Sequence, residues 1–338
     1  MENMLAGNGS PTSQPLPLVL SGFGPVAQEF LARIRATHSQ DFFVAGIRGH
    51  QDQILLDPDS AVPARPLWTP LTPITEFLSA TGAVALIQAT PSSSGAHPRA
   101  VEESLTALRQ GIHVVTATKS HLLTHWQELA AAAQEGGSRI RISGATGAAL
   151  PAADLARLGV QGLGCESLRA CPNGTSTFVL DRISAGSSLV EAIAEAQRLG
   201  IAESDPSADL SGSDTATKAR LLAGLLWGWD VSQIRVEQEG IDDDSLRRII
   251  AELGAGQRLR AVATASLKQP LHVSVRIEAL EPSDPLFHLS GPEKAITFQC
   301  PEAGDITVQG GRSSPAGAAL SMVKDVLTLL RPQTTGFH

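Results

Sequence analysis

The segment Pro17-Leu18-Val19-Leu20-Ser21-Gly22-Phe23-Gly24-Pro25-Val26-Ala27 decides the fold. Its apolar run 17–20 reads as a buried strand, and Phe30, Leu31 and Ile34 then recur at helical spacing over 26–36. Between the two stands G-x-G-x-x-A, in the strand–turn–helix setting that a dinucleotide site requires. Gly22 permits the tight turn, Gly24 lets the backbone approach a pyrophosphate, and the helix N-terminus offers free N–H groups to it. Pro25 suits the first helical turn, where its missing N–H has no intrahelical partner. Gly22, Phe23, Gly24, Pro25 and Val26 are therefore the expected cofactor loop.

Outward from this segment the chain alternates. Strands are expected at 42–47, 83–89, 113–116 and 139–143, with helices at 74–79, 99–110 and 119–134 between them. Alternating strands and helices predict an α/β fold: a Rossmann-type, doubly wound parallel sheet over 16–150. Beyond 150 the texture changes to helices at 175–185, 189–199 and 213–226. Period-two runs follow at 272–277 and 295–298, which predict a second α+β catalytic and dimerisation domain over 151–311. The segment 312–338 reads as a C-terminal helix (315–330) returning to the nucleotide domain. Residues 1–15 are rich in Ser, Pro, Gly and Asn and read as a disordered tail.

Bulk composition narrows the function classes. The 338 residues are 42% hydrophobic and 18% charged, with net charge −8. No basic stripe exists to track a phosphate backbone, so nucleic acid is not an expected partner. No apolar run reaches the roughly 18 residues of a membrane span. Three cysteines in no metal-like spacing and no signal-peptide pattern predict a reduced, cytoplasmic setting. A disulfide between Cys165 and Cys171 is correspondingly not expected. There is no Tyr, so no tyrosine acid or base is available.

The strand ends predict further contacts. The second strand runs out in Gly46-Ile47-Arg48-Gly49-His50, with no carboxylate for a ribose diol; Arg48 suits a 2′-phosphate and favours NADP over NAD. Thr90 and Ser92, from Thr90-Pro91-Ser92-Ser93-Ser94 at the end of the third strand, are expected near the nicotinamide half, with Thr116 and Lys119 after the fourth. The run Gly200–Lys218 packs carboxylates around a Gly and a Pro and opens a helix capped by Ser213 or Asp214, on which Asp214 and Lys218 share a face. Taken alone, that pair is an ordinary helix ion pair. His121 and His125 stand at i, i+4 without a third ligand and read as packing or surface residues. Asp242-Asp243-Asp244 reads as a helix N-terminus.

Four segments together resemble the homoserine dehydrogenase family in its short form, without kinase or regulatory domain. They are the Gly22/Gly24 loop, Val114-Val115-Thr116-Ala117-Thr118-Lys119 (similar to VVTANK), Asn173-Gly174-Thr175 (similar to NGT), and Gly200–Lys218, which follows GxAExDPxxDxxGxDxxxK at every fixed position. The resemblance covers about 16–330. It implies NAD(P)-dependent, reversible reduction of L-aspartate 4-semialdehyde to L-homoserine, and a homodimer formed through the second domain's sheet. Lys119 and Lys218 fall on the lysines flanking the reacting oxygen, and Asp214 on the acid that supports the second. Glu203 and Asp209 fall on carboxylates holding the substrate's polar end, and Gly174 and Thr175 on contacts to substrate and cofactor. The chemistry agrees: hydride delivery to an aldehyde builds negative charge on oxygen, which a nearby ammonium stabilises and protonates. The residues do not separate Lys119 from Lys218 as the acid/base.

Several positions depart from the family. Ser143 stands where the resemblance places a metal-site glutamate, leaving any monovalent cation to backbone carbonyls. Ile201 replaces an aromatic, and the late Gly-rich loop is Gly310-Gly311-Arg312, where Gly310 is expected near the cofactor and Arg312 either meets a phosphate or faces water. Two other readings therefore stand beside the first: a reductase of a different small amino-acid aldehyde or ketone, and a non-catalytic cofactor-binding relative. Retention of both lysines argues against the second.

Overall fold

Leu18, Val19 and Leu20 are fully buried at the centre of the first sheet of a computed structural model that describes residues 14–92 and 97–330. Residues 1–13 of the expected tail, Ser93, Ser94 and residues 331–338 lie outside the described residues. The first sheet comprises β1 (Leu16–Ser21), β2 (Phe42–Arg48), β3 (Asp52–Leu55), β4 (Thr69–Pro70), β5 (Ala85–Gln88), β6 (His113–Thr116) and β7 (Ile140–Arg141). Their order is β4-β3-β2-β1-β5-β6-β7. The strands β2-β1-β5-β6-β7 pair in parallel, as expected, while β3 and β4 double back antiparallel on β2. Those two short strands carry no apolar alternation, and the sequence shows no sign of them.

Helices α1 (Pro25–Thr37), α2 (Ile74–Thr81), α3 (His97–Arg109), α4 (Ser120–Thr124) and α5 (Trp126–Glu135) connect the strands. The helix expected over 119–134 is two helices, broken where His125 leaves helical geometry at φ −124°, ψ 29°. His121 and His125 thus do not share one helix face. Among the described residues no three His, Cys, Asp or Glu side chains are placed to hold a metal ion.

Two one-turn helices, α6 (Ser143–Thr146) and α7 (Ala152–Asp154), lead into the second sheet. It comprises β8 (Ser167–Cys171), β9 (Arg235–Gln238), β10 (Arg258–Ser266), β11 (Gln269–Leu280), β12 (Ala295–Gln299) and β13 (Ile306–Gln309), in the order β13-β12-β8-β10-β11-β9. Around it lie α8 (Gly174–Ser184), α9 (Leu189–Arg198), α10 (Ser207–Leu210), α11 (Ser213–Trp227) and α12 (Asp243–Glu252). Phe178, Val179 and Leu180 of α8 meet Leu259 and Ala261 of β10, and Leu221 and Leu222 of α11 share a core with Ala263 and Ala265 further along it. α12 begins as expected, with Asp242 accepting from the Asp244 and Ser245 amides. The cap of α11 is instead Gly212 at φ 80°, with no side-chain cap, which leaves Asp214 for other work. The last helix, α13 (Pro315–Leu330), returns to the first layer. Its Met322, Val323 and Val326 are buried with Phe30 and Ile34 of α1, and such side chains contribute about 1.5–3 kcal/mol each.

Gly22 holds φ +91°, and a Cβ there would lie 2.8 Å from the Ala89 carbonyl carbon. Gly22→Ala therefore combines left-handed strain with a backbone clash. It is expected to cost about 1–3 kcal/mol, read by denaturant unfolding, and to weaken cofactor affinity in the same samples.

Candidate active site

Lys119 ends the β6 loop, and Asp214 and Lys218 stand one turn apart at the start of α11. The fold brings them together across 95 residues: Lys119 Nζ lies 2.6 Å from Asp214 Oδ1, and Lys218 Nζ lies 2.5 Å from Asp214 Oδ2. Burial pushes the Asp214 carboxyl up, but the ammonium groups of Lys218 and Lys119 outweigh it and hold the group well below the usual carboxylate range. Lys218 Nζ also donates to the Pro172 carbonyl at 3.1 Å. One carboxylate thus fixes two amines that enter from opposite layers.

Asn173, at the N-cap of α8, ties the rest together. Its Nδ2 donates to Asp209 Oδ1 at 2.6 Å and to Asp214 Oδ2 at 2.8 Å, while its Oδ1 accepts from the Ser176 amide. The sequence motif drew attention to the neighbouring Gly174 and Thr175; the capping Asn was the available signal. Gly174 has no room for a side chain, since a Cβ would lie 2.5 Å from the Pro292 oxygen. Thr175 donates to the Ile201 carbonyl at 3.2 Å. Val26, Lys119, Glu203, Asp209, Asp214 and Lys218 all line one cavity of about 330 Å3, with Glu203 at its exposed rim. A neighbouring cleft of about 580 Å3 shares Gly174, Thr175 and Ile201 and extends to Gly310 and the exposed Arg312. The glycine-rich loop, through Val26, and the lysine–carboxylate cluster therefore open on the same space.

On the nucleotide side the expectations divide. Gly24 caps α1 with Pro25 at its first turn, and Gly22 N–H bonds to the Arg48 carbonyl. Phe23 packs on Trp68 with ring centroids 5.6 Å apart. Ser92 Oγ accepts from the Lys119 amide at 3.1 Å, and Thr90 is locked to Thr118 by hydrogen bonds of 3.0 Å. Thr116 is fully buried, its hydroxyl engaged by Gln88 and the Thr118 amide, so it shapes the loop and presents no side-chain surface to a cofactor.

Arg48 requires a correction. It is 4% exposed, and its guanidinium is committed to Glu103 at 2.9 Å, Gln53 at 2.8 Å and the Thr72 carbonyl at 3.0 Å. A carboxylate buried on α3 claimed the cation that exposure would have left for a 2′-phosphate. Beside Gly49, at the end of β2, Asp52 of β3 pairs with the half-exposed Arg65. Arg48→Ala is expected to destabilise the fold by about 1–3 kcal/mol, because Glu103 loses the buried Arg48 while keeping Arg99 and the Ser21 hydroxyl as partners. The ratio of KM values for NADPH and NADH should stay that of the parent, checked by steady-state kinetics on the folded fraction.

The residues after β7 do not fit a monovalent metal ion. Ser143 Oγ donates to Asp325 Oδ1 at 2.8 Å and accepts from Lys324 Nζ at 2.9 Å, so an ammonium already sits on that oxygen. The Gly147 carbonyl accepts from Lys294 Nζ at 2.7 Å. Lys294 was not singled out from sequence; it precedes an apolar strand, where a lone lysine gives no sign of burial. The three cysteines are free and buried, and Cys165 neighbours Cys300; burial and that second thiol push it up to about 12.

A parallel sheet with a glycine-rich first turn, joined through a lysine–carboxylate cavity to an α+β layer, defines the class of two-domain nicotinamide-nucleotide dehydrogenase folds. Family models agree: one described as homoserine dehydrogenase, NAD binding domain, matches residues 22–143, and one described as homoserine dehydrogenase matches 151–327. The chain belongs to the homoserine dehydrogenase family. It is 32% identical over 247 residues to homoserine dehydrogenase of Corynebacterium glutamicum, covering 71% of this chain and 55% of that one. It is 30% identical over 225 residues to the Sulfurisphaera tokodaii homoserine dehydrogenase, covering 67% and 70%. A hyperthermophilic archaeal homoserine dehydrogenase mutant in complex with NADPH shares the fold at TM-score 0.78, with 23% identity over 95% of this chain and 100% of the other. The matched stretch thus spans little more than half of the Corynebacterium protein's length.

Proposed function

We propose that this chain interconverts L-aspartate 4-semialdehyde and L-homoserine with NAD(P) as the hydride carrier. The observation that carries the reading is Asp214 holding Lys119 and Lys218 at 2.6 and 2.5 Å inside the cavity that the glycine-rich loop also lines. The nicotinamide supplies the hydride; the chain supplies position and charge. Lys119 and Lys218 face the reacting oxygen, stabilising the charge that develops there and moving its proton. Asp214 orients both amines. Glu203, at the rim, takes the substrate ammonium, while Asp209 and the Gly174–Thr175 turn hold the polar end. Gly22, Gly24 and the start of α1 take the pyrophosphate. Since Arg48 is spent in the interior, the preference between NADP and NAD falls to the Asp52–Arg65 pair.

The face of the second sheet away from its helices is covered at one end by Leu286 and Leu289; the rest of it, with Ser274 and the exposed Arg276 on β11, is the surface through which two copies would pair. Free cysteines suit a reduced, cytoplasmic setting, and no helix among the described residues is long and apolar enough to cross a membrane. The test is absorbance at 340 nm with L-homoserine and NADP or NAD, then with the semialdehyde and NADPH. Turnover supports the reading; NADPH binding without turnover on either substrate favours a reductase of another amino-acid aldehyde.

A further inference from the structure

Lys294 is 1% exposed, at the edge of β12, and among the described residues its ammonium makes one hydrogen bond, to the Gly147 carbonyl at 2.7 Å. A buried ammonium is costly unless something needs its charge. What it touches is the loop that links the two layers. Gly144, Gly147 and Ala148 of that loop line the active cavity, and Ala148 holds φ 49°, a left-handed conformation that an alanine adopts only under constraint. A second ammonium, Lys324 on α13, caps the same loop at Ser143 Oγ and is balanced by Asp154 and Asp325. Two oxygens of this loop, Ser143 Oγ and the Gly147 carbonyl, are therefore already in contact with an ammonium that belongs to the chain.

We infer that Lys294 is a built-in cation: its ammonium caps the Gly147 carbonyl, clamps the 143–151 loop to β12 across the layer junction, and makes a monovalent metal ion unnecessary there. Lys294 itself lines the same cavity as Lys119 and Lys218; in this inference its amine is a positioning residue, acting on the loop that floors the cavity. Burial and the Lys218 charge pull its pKa down to about 8, with Asp214 opposing, so the group stays mainly charged at neutral pH.

Thermal unfolding and turnover are measured in choline chloride, then with sodium or potassium chloride at matched ionic strength. The parent should show the same melting temperature and turnover in all three salts. Lys294→Met should melt several degrees lower in choline and lose about tenfold in turnover, a modest loss for a displaced electrostatic support. Sodium, potassium or methylammonium should restore part of both. A parent that requires sodium or potassium, or a Lys294→Met protein indifferent to the change of residue and salt, overturns the inference. Should Lys294→Met not fold, Lys294→Arg and Lys294→Gln separate charge from bulk. Arg is expected to keep the parent's melting temperature in choline and Gln to lose it; equal behaviour overturns the inference. The thermal readout needs no substrate, so its failure is distinct from a failure of the proposed activity.

Discussion

Lys218→Ala lowers turnover by at least about 10²-fold with the fold intact, and Lys119→Ala does the same, the scale of a positioned acid/base group. Each amine ends on Asp214, and the two approach from different layers. Deleting one leaves the other beside the same carboxylate, where a single ammonium must stabilise the oxygen charge and move its proton without the second amine's field. The two losses should therefore combine in the double variant to less than their product, as for groups that act as a unit. Lys119 adds a distinguishing mark: its amide bonds to Ser92 at the end of β5, on the expected nicotinamide side. Backbone contacts survive the Ala change, so KM for the cofactor should move little while kcat falls. The measurement is steady-state kinetics at 340 nm, with circular dichroism melts as the folding control. Near-parental turnover in both single variants would remove the mechanism.

The second large effect belongs to Asp214→Asn. The side chain is 12% exposed and faces two ammonium groups, with Asn173 Nδ2 on the same oxygen as Lys218. An amide of the same shape removes the charge that both lysines oppose, which should cost about 3–5 kcal/mol of stability. Turnover should fall by about 10²-fold as the amines lose their common anchor. The pH dependence follows from the lowered carboxyl. A group held below its unfolded value stabilises the fold fully above about pH 4 and loses that contribution only as pH falls through the folded value. The stability gap between parent and variant should thus be flat from about pH 5 to 8 and close only in stronger acid. Denaturant titrations across that range measure it; a gap that closes near neutrality would assign the coupling to another group.

What could be read from sequence follows from which forces act locally. The glycine-rich turn and the apolar strand before it are local, and β1, α1 and the parallel order came out as expected. Asp214 and Lys218 are one helical turn apart, so their shared face was legible; that Lys119 completes the triad came only through the family resemblance, since nothing local links it to Asp214. Arg48 was misread because its buried partner, Glu103, is 55 residues away on another element. β8 alternates only over Ser167-Leu168-Arg169-Ala170, too short a run to stand out, although it is the central strand joining β12 to β10. Lys294 lay hidden for the opposite reason: lysine is nearly always solvated, and only the packed interior shows that this one is not.

The return of α13 sets the order in which this chain becomes a protein. The layer begun by β1 and α1 leaves Phe30 and Ile34 uncovered until Met322 and Val326 arrive. During synthesis the early layer must wait, its apolar face bare, while the whole second sheet is made. A fragment stopping at residue 150 should therefore be sticky and poorly soluble, and the full chain should melt in one cooperative transition rather than as two independent lobes.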